Sequence, residues 1–242
     1  MAVVKETPLE QDRVFEFVSQ ISDRVEVLDF EIYSGITGRI LQVIFDNGNF
    51  EKKVSLQRVK LLNRISEMEG LPVERTSKVA FKKFHPTKYC KKEFSQKRGS
   101  YNLLGISHPL LANVYSAVVY SQSEKKFYLR FLKEEILDDD VIVGYFQKWI
   151  EGKDIWRVLR DGNISAYKLK KIIKNIVLLQ DFLMSKKLIH NDIRMENILE
   201  REDGEILLTD FDFTFMFNAL PCEQRSIKSY ISPEVCFHNL IV

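Results

Sequence analysis

The chain has 242 residues, 45% hydrophobic and 29% charged; this is ordinary globular usage and excludes extended disorder or a fibrous repeat. Lys+Arg at 36 against Asp+Glu at 34 leaves a net charge of +2, so no bulk field directs it to nucleic acid or a membrane surface. Three scattered cysteines (Cys90, Cys222, Cys236), an opening without an apolar leader and no run of about 18 apolar residues predict a soluble chain in a reducing, cytoplasmic setting.

In chain order, residues 1–28 read as an N-terminal extension. Val25–Phe45 is rich in β-branched and aromatic residues, and Asn47-Gly48 predicts a tight turn pairing Arg39–Phe45 with Phe50–Val54. Leu56, Val59, Leu62, Ile65 and Met68 recur at helical spacing and stop near Gly70 and Pro72. A short strand over Lys78–Phe84 precedes a charged helix over Pro86–Leu104, which ends at Gly105 and His108-Pro109. Val114–Tyr120, Phe127–Phe131 and Val141–Trp149 read as strands, and the acidic Glu134–Asp140 as a solvated loop. Beyond Gly152 the pattern turns helical, with Ser165 as N-cap and an apolar stripe of Leu169, Ile172, Ile173, Ile176, Leu179 and Leu183. Strands first and helices second predict an α+β protein of two lobes. The lobes are 29–150, with an insertion around 46–75, and 151–242.

The chemistry concentrates in Leu188–Leu199 and Ile206–Asp212. A polar loop carrying His190, Asp192, Arg194 and Asn197 lies between apolar anchors, and a strand beyond Asp203-Gly204 delivers Asp210. A carboxamide and a carboxylate are hard oxygen donors suited to Mg²⁺, which takes few protein ligands plus substrate phosphates. Asp192 is then free to orient or deprotonate an attacking hydroxyl, the arrangement that phosphoryl transfer uses. Phe211, Phe213, Phe215 and Phe217 alternate at strand spacing and predict one apolar face.

These residues resemble the protein kinase superfamily. His190-Asn191-Asp192 with Asn197 is similar to the catalytic loop H-R-D-x-x-x-x-N, and Asp210-Phe211-Asp212 to D-F-G with aspartate for glycine. The offsets of five and thirteen residues match the family pattern, and Ser232-Pro233-Glu234 is similar to A-P-E. Lys78–Lys82 resembles the V-A-I-K strand, with Ala80 beside adenine and Lys82 on the α- and β-phosphates. By the same resemblance Gln147 is the gatekeeper, Lys148, Trp149 and Ile150 offer backbone groups to adenine, and Asp154 meets ribose. Gly35 and Gly38 keep the later glycines of the phosphate loop. The glutamate that usually pairs the lysine would fall at about Gly99, with Glu93 the nearest carboxylate.

The resemblance implies an ATP- and Mg²⁺-dependent kinase acting on a protein substrate, in a bilobal kinase-like fold with a reduced helical second lobe. Asn197 and Asp210 would hold Mg²⁺, Asp192 would orient the acceptor hydroxyl, and Arg194 would neutralise the γ-phosphate. A pseudokinase binding module, or a small-molecule kinase of the choline or aminoglycoside type with Asp212 as a third acidic residue, remain alternatives. Only eight residues follow Glu234, which predicts a minimal or truncated kinase, or one completed by a partner protein. Ser226, Ser229 and Tyr230 are candidate self-phosphorylation positions.

Overall fold

The computed structural model describes residues 8–27, 38–45, 55–72, 78–84, 99–162 and 164–216. They divide into two compact units, the first holding the described residues up to Phe84 with 104–107 and 113–149. The second holds 99–103, 108–112 and the chain from Ile150 onward.

The first unit is built on a six-stranded sheet in the order β1-β2-β3-β6-β4-β5, with every neighbouring pair antiparallel. Its strands are β1 Arg24–Val27, β2 Gly38–Ile44, β3 Lys78–Phe84, β4 Val114–Ser121, β5 Lys126–Arg130 and β6 Asp140–Lys148. One face contributes Leu41, Val43, Val79, Phe81, Val118 and Phe146 to the core. Helix α1 (Pro8–Ile21) adds Val14, Phe17, Val18 and Ile21, and helix α2 (Leu56–Glu69) adds Leu61 and Ile65. In α2 the Ser55 hydroxyl accepts from the Arg58 amide at 3.2 Å, and Gly70 closes the helix in the left-handed region at φ 64°, both standard terminators.

Several expectations change. Residues 8–27, read as part of an N-terminal extension, pack into the first unit, where α1 adds to the core and β1 pairs with β2. The partners of β2 are β1 and β3; the predicted Phe50–Val54 strand lies outside the described residues. The acidic stretch is largely exposed, as expected, with Glu134, Glu135, Leu137 and Asp138 at the surface, but it is braced at both ends. Glu135 accepts from the Phe131 amide at 2.6 Å, and fully buried Asp140 accepts from Arg130 Nε at 3.0 Å and from the Leu137 amide at 3.1 Å. Burying a carboxylate requires such partners.

In the second unit, β7 (Gly152–Asp154), β9 (Ile198–Arg201) and β10 (Ile206–Leu208) form an antiparallel sheet, while β8 (Leu188–Ile189) pairs with β11 (Phe215–Met216). Helix α3 (Ile155–Arg160) and the long α4 (Ala166–Ser185) accompany them. Ser165 caps α4 by accepting from the Lys168 amide at 3.1 Å. The buried stripe of α4 is narrower than its apolar pattern, with Ile172, Leu179 and Leu183 inside but Leu169 and Ile173 exposed. No helix among the described residues is long and apolar enough to cross a membrane.

Two short pieces from upstream complete this unit, so 29–150 is not one uninterrupted lobe. Leu111 bridges Leu208 in parallel, through the Ala112 amide to the Leu208 carbonyl and the Leu208 amide to the Leu110 carbonyl, both at 2.9 Å. Gly99–Leu103 is a 3₁₀ turn rather than the end of an α-helix; the rest of the predicted Pro86–Leu104 helix lies outside the described residues. The turn is pressed against Phe211–Thr214, where the Gly99 amide donates to the Asp212 carbonyl at 3.0 Å. A β-carbon on Gly99 would stand 2.2 Å from the Phe211 carbonyl oxygen and the Thr214 nitrogen.

Candidate active site

The polar loop begins where β8 ends. His190 is fully buried with its ring edge-on to Phe211, centroids 5.0 Å apart. Its Nδ1 accepts from the Asp192 amide at 3.2 Å, and its Nε2 lies 3.1 Å from the Thr209 carbonyl. An acceptor on one nitrogen and a carbonyl facing the other require a neutral imidazole with the proton on Nε2. His190 therefore braces the loop against the strand that leads to Asp210. The Thr209 amide donating to the Asn197 carbonyl at 2.9 Å ties the same two segments a second time.

Asn191 takes a positive φ of 62°, as does Asp210; Asn and Asp are among the residues that best tolerate the left-handed region. That reversal carries the chain into Asp192, which is buried together with Asn197. The Asn197 side-chain nitrogen donates to both the carbonyl oxygen and Oδ2 of Asp192, each at 2.9 Å. One amide thereby fixes the backbone and the carboxylate of Asp192. The donor end of Asn197 is consumed in doing so, which leaves its oxygen end as the acceptor that a cation could use. A carboxamide oxygen and the Asp210 carboxylate fit a hard cation of the Mg²⁺ type.

Arg194 is turned to Glu196, Nε to Oε2 at 3.2 Å. Its guanidinium therefore has a carboxylate neighbour within the loop. Asp154 accepts from the Arg157 amide at 2.8 Å through Oδ1, and its Oδ2 pairs with Arg157 Nε at 3.1 Å. It is the N-cap of α3, a role the sequence reading did not assign alongside ribose.

The first unit holds Gly38, Ala80, Lys82, Gln147, Lys148 and Trp149. Ala80 and Lys82 are buried on β3, two residues apart and so on one side of the strand. Their partners on β6 are Gln147 and Tyr145. Gly144 on β6 has no room for a side chain, since a β-carbon there would meet the Lys82 carbonyl at 2.6 Å and the Phe81 ring at 2.7 Å. Gly38 opens β2 opposite Phe84. Ile150 is half-buried in the second unit. Gly35, Glu93, Ser226, Ser229, Tyr230 and Ser232–Glu234 lie outside the described residues. The backbone contact of Gly99 leaves no space for the glutamate that the family pattern puts near that position.

Sequence reading missed Glu69 at the end of α2. Its Oε1 accepts from Asn113 Nδ2 at 2.9 Å and from the Tyr115 hydroxyl at 3.0 Å, and Oε2 takes the Lys148 ammonium. Burial, reinforced by this carboxylate, pushes the Tyr115 hydroxyl far above its ordinary range, so it remains a donor. Gln42 was missed as well: in the amide orientation that satisfies both of its ends, with oxygen and nitrogen exchanged, its nitrogen donates to Glu26 Oε2 at 2.9 Å and its oxygen accepts from Trp149 Nε1 at 3.2 Å. Helical spacing marked Leu61 and Ile65, but nothing local marks a glutamate whose partners lie 44, 46 and 79 residues away.

A model of the protein kinase domain matches residues 68–240. Over 134 residues the chain is 28% identical to the cAMP-dependent protein kinase catalytic subunit of Dictyostelium discoideum, covering 55% of this chain and 18% of that protein. It is 25% identical over 187 residues to a probable serine/threonine-protein kinase of the same organism, covering 73% and 26%. A serine/threonine-protein kinase of Synechocystis is 26% identical over 125 residues, covering 51% and 20%. The matches thus span between about a sixth and a quarter of the lengths of these relatives.

Proposed function

The chain belongs to the protein kinase domain family, and from that premise we propose that it transfers the γ-phosphoryl group of ATP to a protein hydroxyl with Mg²⁺ bound. The observation that carries the reading is the Asn197 amide, which spans the carbonyl and carboxylate of Asp192. It aims a general base and presents an oxygen to metal with one side chain. Asn197 Oδ1 and Asp210 would hold Mg²⁺, which would supply charge neutralisation on the phosphate oxygens.

The chain's own residues do the remainder. Lys82 draws the α- and β-phosphates, while Ala80 leaves room for the base under Gln147 and the Lys148–Ile150 backbone receives adenine. Asp192 accepts the proton of the acceptor hydroxyl as its oxygen bonds to the γ-phosphorus and the bond to the β–γ bridging oxygen breaks. Arg194 neutralises the transferring group only once substrate draws it away from Glu196. Neutral His190 keeps the loop in register and takes no part in the proton's path.

The test is transfer of labelled phosphate from ATP·Mg²⁺ to a mixed protein panel. Replacing a positioned general base costs roughly 10²–10⁴-fold in rate, so Asp192→Ala should lose activity by that factor while retaining nucleotide binding. Equal transfer by the variant would refute the assignment. One observation favours a second reading, a nucleotide-binding pseudokinase. The site where the family's lysine partner is expected is Gly99, which has no space for a side chain. An ATP-dependent thermal shift with no transfer to any protein or metabolite would select it.

A further inference from the structure

The two side chains at the end of β6 are each held by an element that comes before β3 in the chain. From α2, Glu69 takes the Lys148 ammonium on Oε2 while Oε1 is occupied by Asn113 and Tyr115. From β2, Gln42 receives the Trp149 indole N–H, and Glu26 on β1 fixes the Gln42 amide. The Lys148 backbone is bound from the same side, its amide donating to the Asn113 carbonyl at 2.9 Å. Asn113 therefore links the Glu69 carboxylate to the main chain of Lys148. Glu69 is itself rigidly placed. It ends a helix whose Leu61 and Ile65 lie in the core, whose Gln57 accepts from the β5 amide of Leu129 at 2.8 Å, and whose Met68 carbonyl accepts from Ser107 at 3.3 Å.

We infer that Glu69 is a positioning residue for nucleotide, setting the Lys148–Trp149 backbone that reads adenine, with Gln42 and Glu26 as its counterpart on the opposite side. The inference rests on the phosphotransferase reading for the identity of the ligand. It draws the stretch before β3 into nucleotide binding, since α2 and β1–β2 grip the side chains of Lys148 and Trp149, Asn113 holds the Lys148 amide, and the main chain beyond that amide is thereby fixed for the base. A carboxylate that is already saturated by Asn113 and Tyr115 on one oxygen has little freedom to follow Lys148, which makes the grip stiff.

Glu69→Gln is the informative change. It keeps an oxygen for Asn113 and Tyr115 but substitutes a donor for the oxygen that holds the Lys148 ammonium. The expected result is a KM for ATP about tenfold higher, a loss of one tenfold step in affinity, with kcat and the acceptor KM unchanged. Lys148→Met should reproduce this, and the double variant should be no worse than either single one. A purely structural role would lower the fraction of folded enzyme, and so apparent kcat, without moving the KM for ATP. Amide hydrogen exchange on the nucleotide-free protein supplies an independent arm. Glu69→Gln should speed exchange at Lys148 and Trp149 severalfold and leave the β4–β5 pair unchanged. An unchanged KM together with unchanged exchange overturns the inference, as does strict additivity of the two substitutions. If wild-type protein binds no ATP, the phosphotransferase reading fails and nucleotide positioning with it; the exchange result then decides whether the grip exists.

Discussion

Replacing Gly99 by alanine tests a close backbone approach in the second unit. The added β-carbon would lie 2.2 Å from the Phe211 carbonyl oxygen, 2.2 Å from the Thr214 nitrogen and 2.4 Å from the Thr214 carbonyl oxygen. All three are main-chain atoms and cannot rotate away. Restoring van der Waals separation requires roughly 1 Å of backbone movement, enough to break the 3.0 Å bond from the Gly99 amide to the Asp212 carbonyl. Overpacking of this kind costs about 1–3 kcal/mol and the lost hydrogen bond about 1 kcal/mol more, so Gly99→Ala should destabilise by about 2–4 kcal/mol. Gly162→Ala is the control. That residue has φ of 76° with nothing within 4 Å of its β-carbon position. Its left-handed strain of about 1–2 kcal/mol is partly offset by a stiffer unfolded chain, leaving a net cost under about 1 kcal/mol. Urea unfolding followed by far-ultraviolet circular dichroism reads both. A Gly99→Ala midpoint within about 0.5 kcal/mol of wild type, the range of a neutral surface change, would refute the argument from close approach.

Other changes separate causes in the same assay. Arg130→Ala strands the fully buried Asp140 carboxylate and should cost about 3 kcal/mol; Asp140→Asn leaves an arginine that is 20% exposed and can reach water, so it should cost less, and the reverse order would contradict the buried-carboxylate reading. Ser165→Ala removes the cap of α4 and should cost about 1 kcal/mol, with Ser165→Asp near neutral. Burial lowers the His108 pKa below 6.5, and its Nδ1 accepts from the Leu110 amide while the ring stacks on Phe182 at 4.4 Å. The folded state then binds fewer protons than the unfolded one, so stability should fall as pH drops below about 6.5. A His108→Asn variant should lose that part of the pH dependence, and an unchanged profile between pH 7.5 and 5.5 would refute it.

What could be read from sequence follows the range of the forces involved. Asp192, Asn197 and Asp210 lie within nineteen positions, and their relations are set by one loop and one hairpin, so spacing alone disclosed them. Ser165 was equally local, capping through an amide three residues on. The packing of the first helix was not legible because periodicity reports that a face is buried without saying against what; Phe17 meets Phe127, 5.6 Å away between ring centroids but 110 residues on. Glu69 and Gly99 were invisible for the same reason, their significance residing in partners brought by the sheet and by the Phe211 turn. The alternating phenylalanines misled in the opposite sense. Residues 211–214 form a turn before the two-residue strand β11, because Phe211 is committed to the His190 ring.

The two pieces that the second unit takes from upstream, 99–103 and 108–112, bear on how the protein can be made and cut. A fragment beginning at Ile150 would lack the backbone of Leu110–Ala112 that flanks Leu208 and the Gly99 turn that backs Phe211. It should therefore expose an unpaired strand edge and aggregate rather than fold as an autonomous domain. On the ribosome, Leu111 is synthesised nearly a hundred residues ahead of its partner Leu208 and must wait several seconds, at about 5–20 residues per second, before the pairing can form. The stretch 99–112 is therefore where a chaperone would find this chain unfinished.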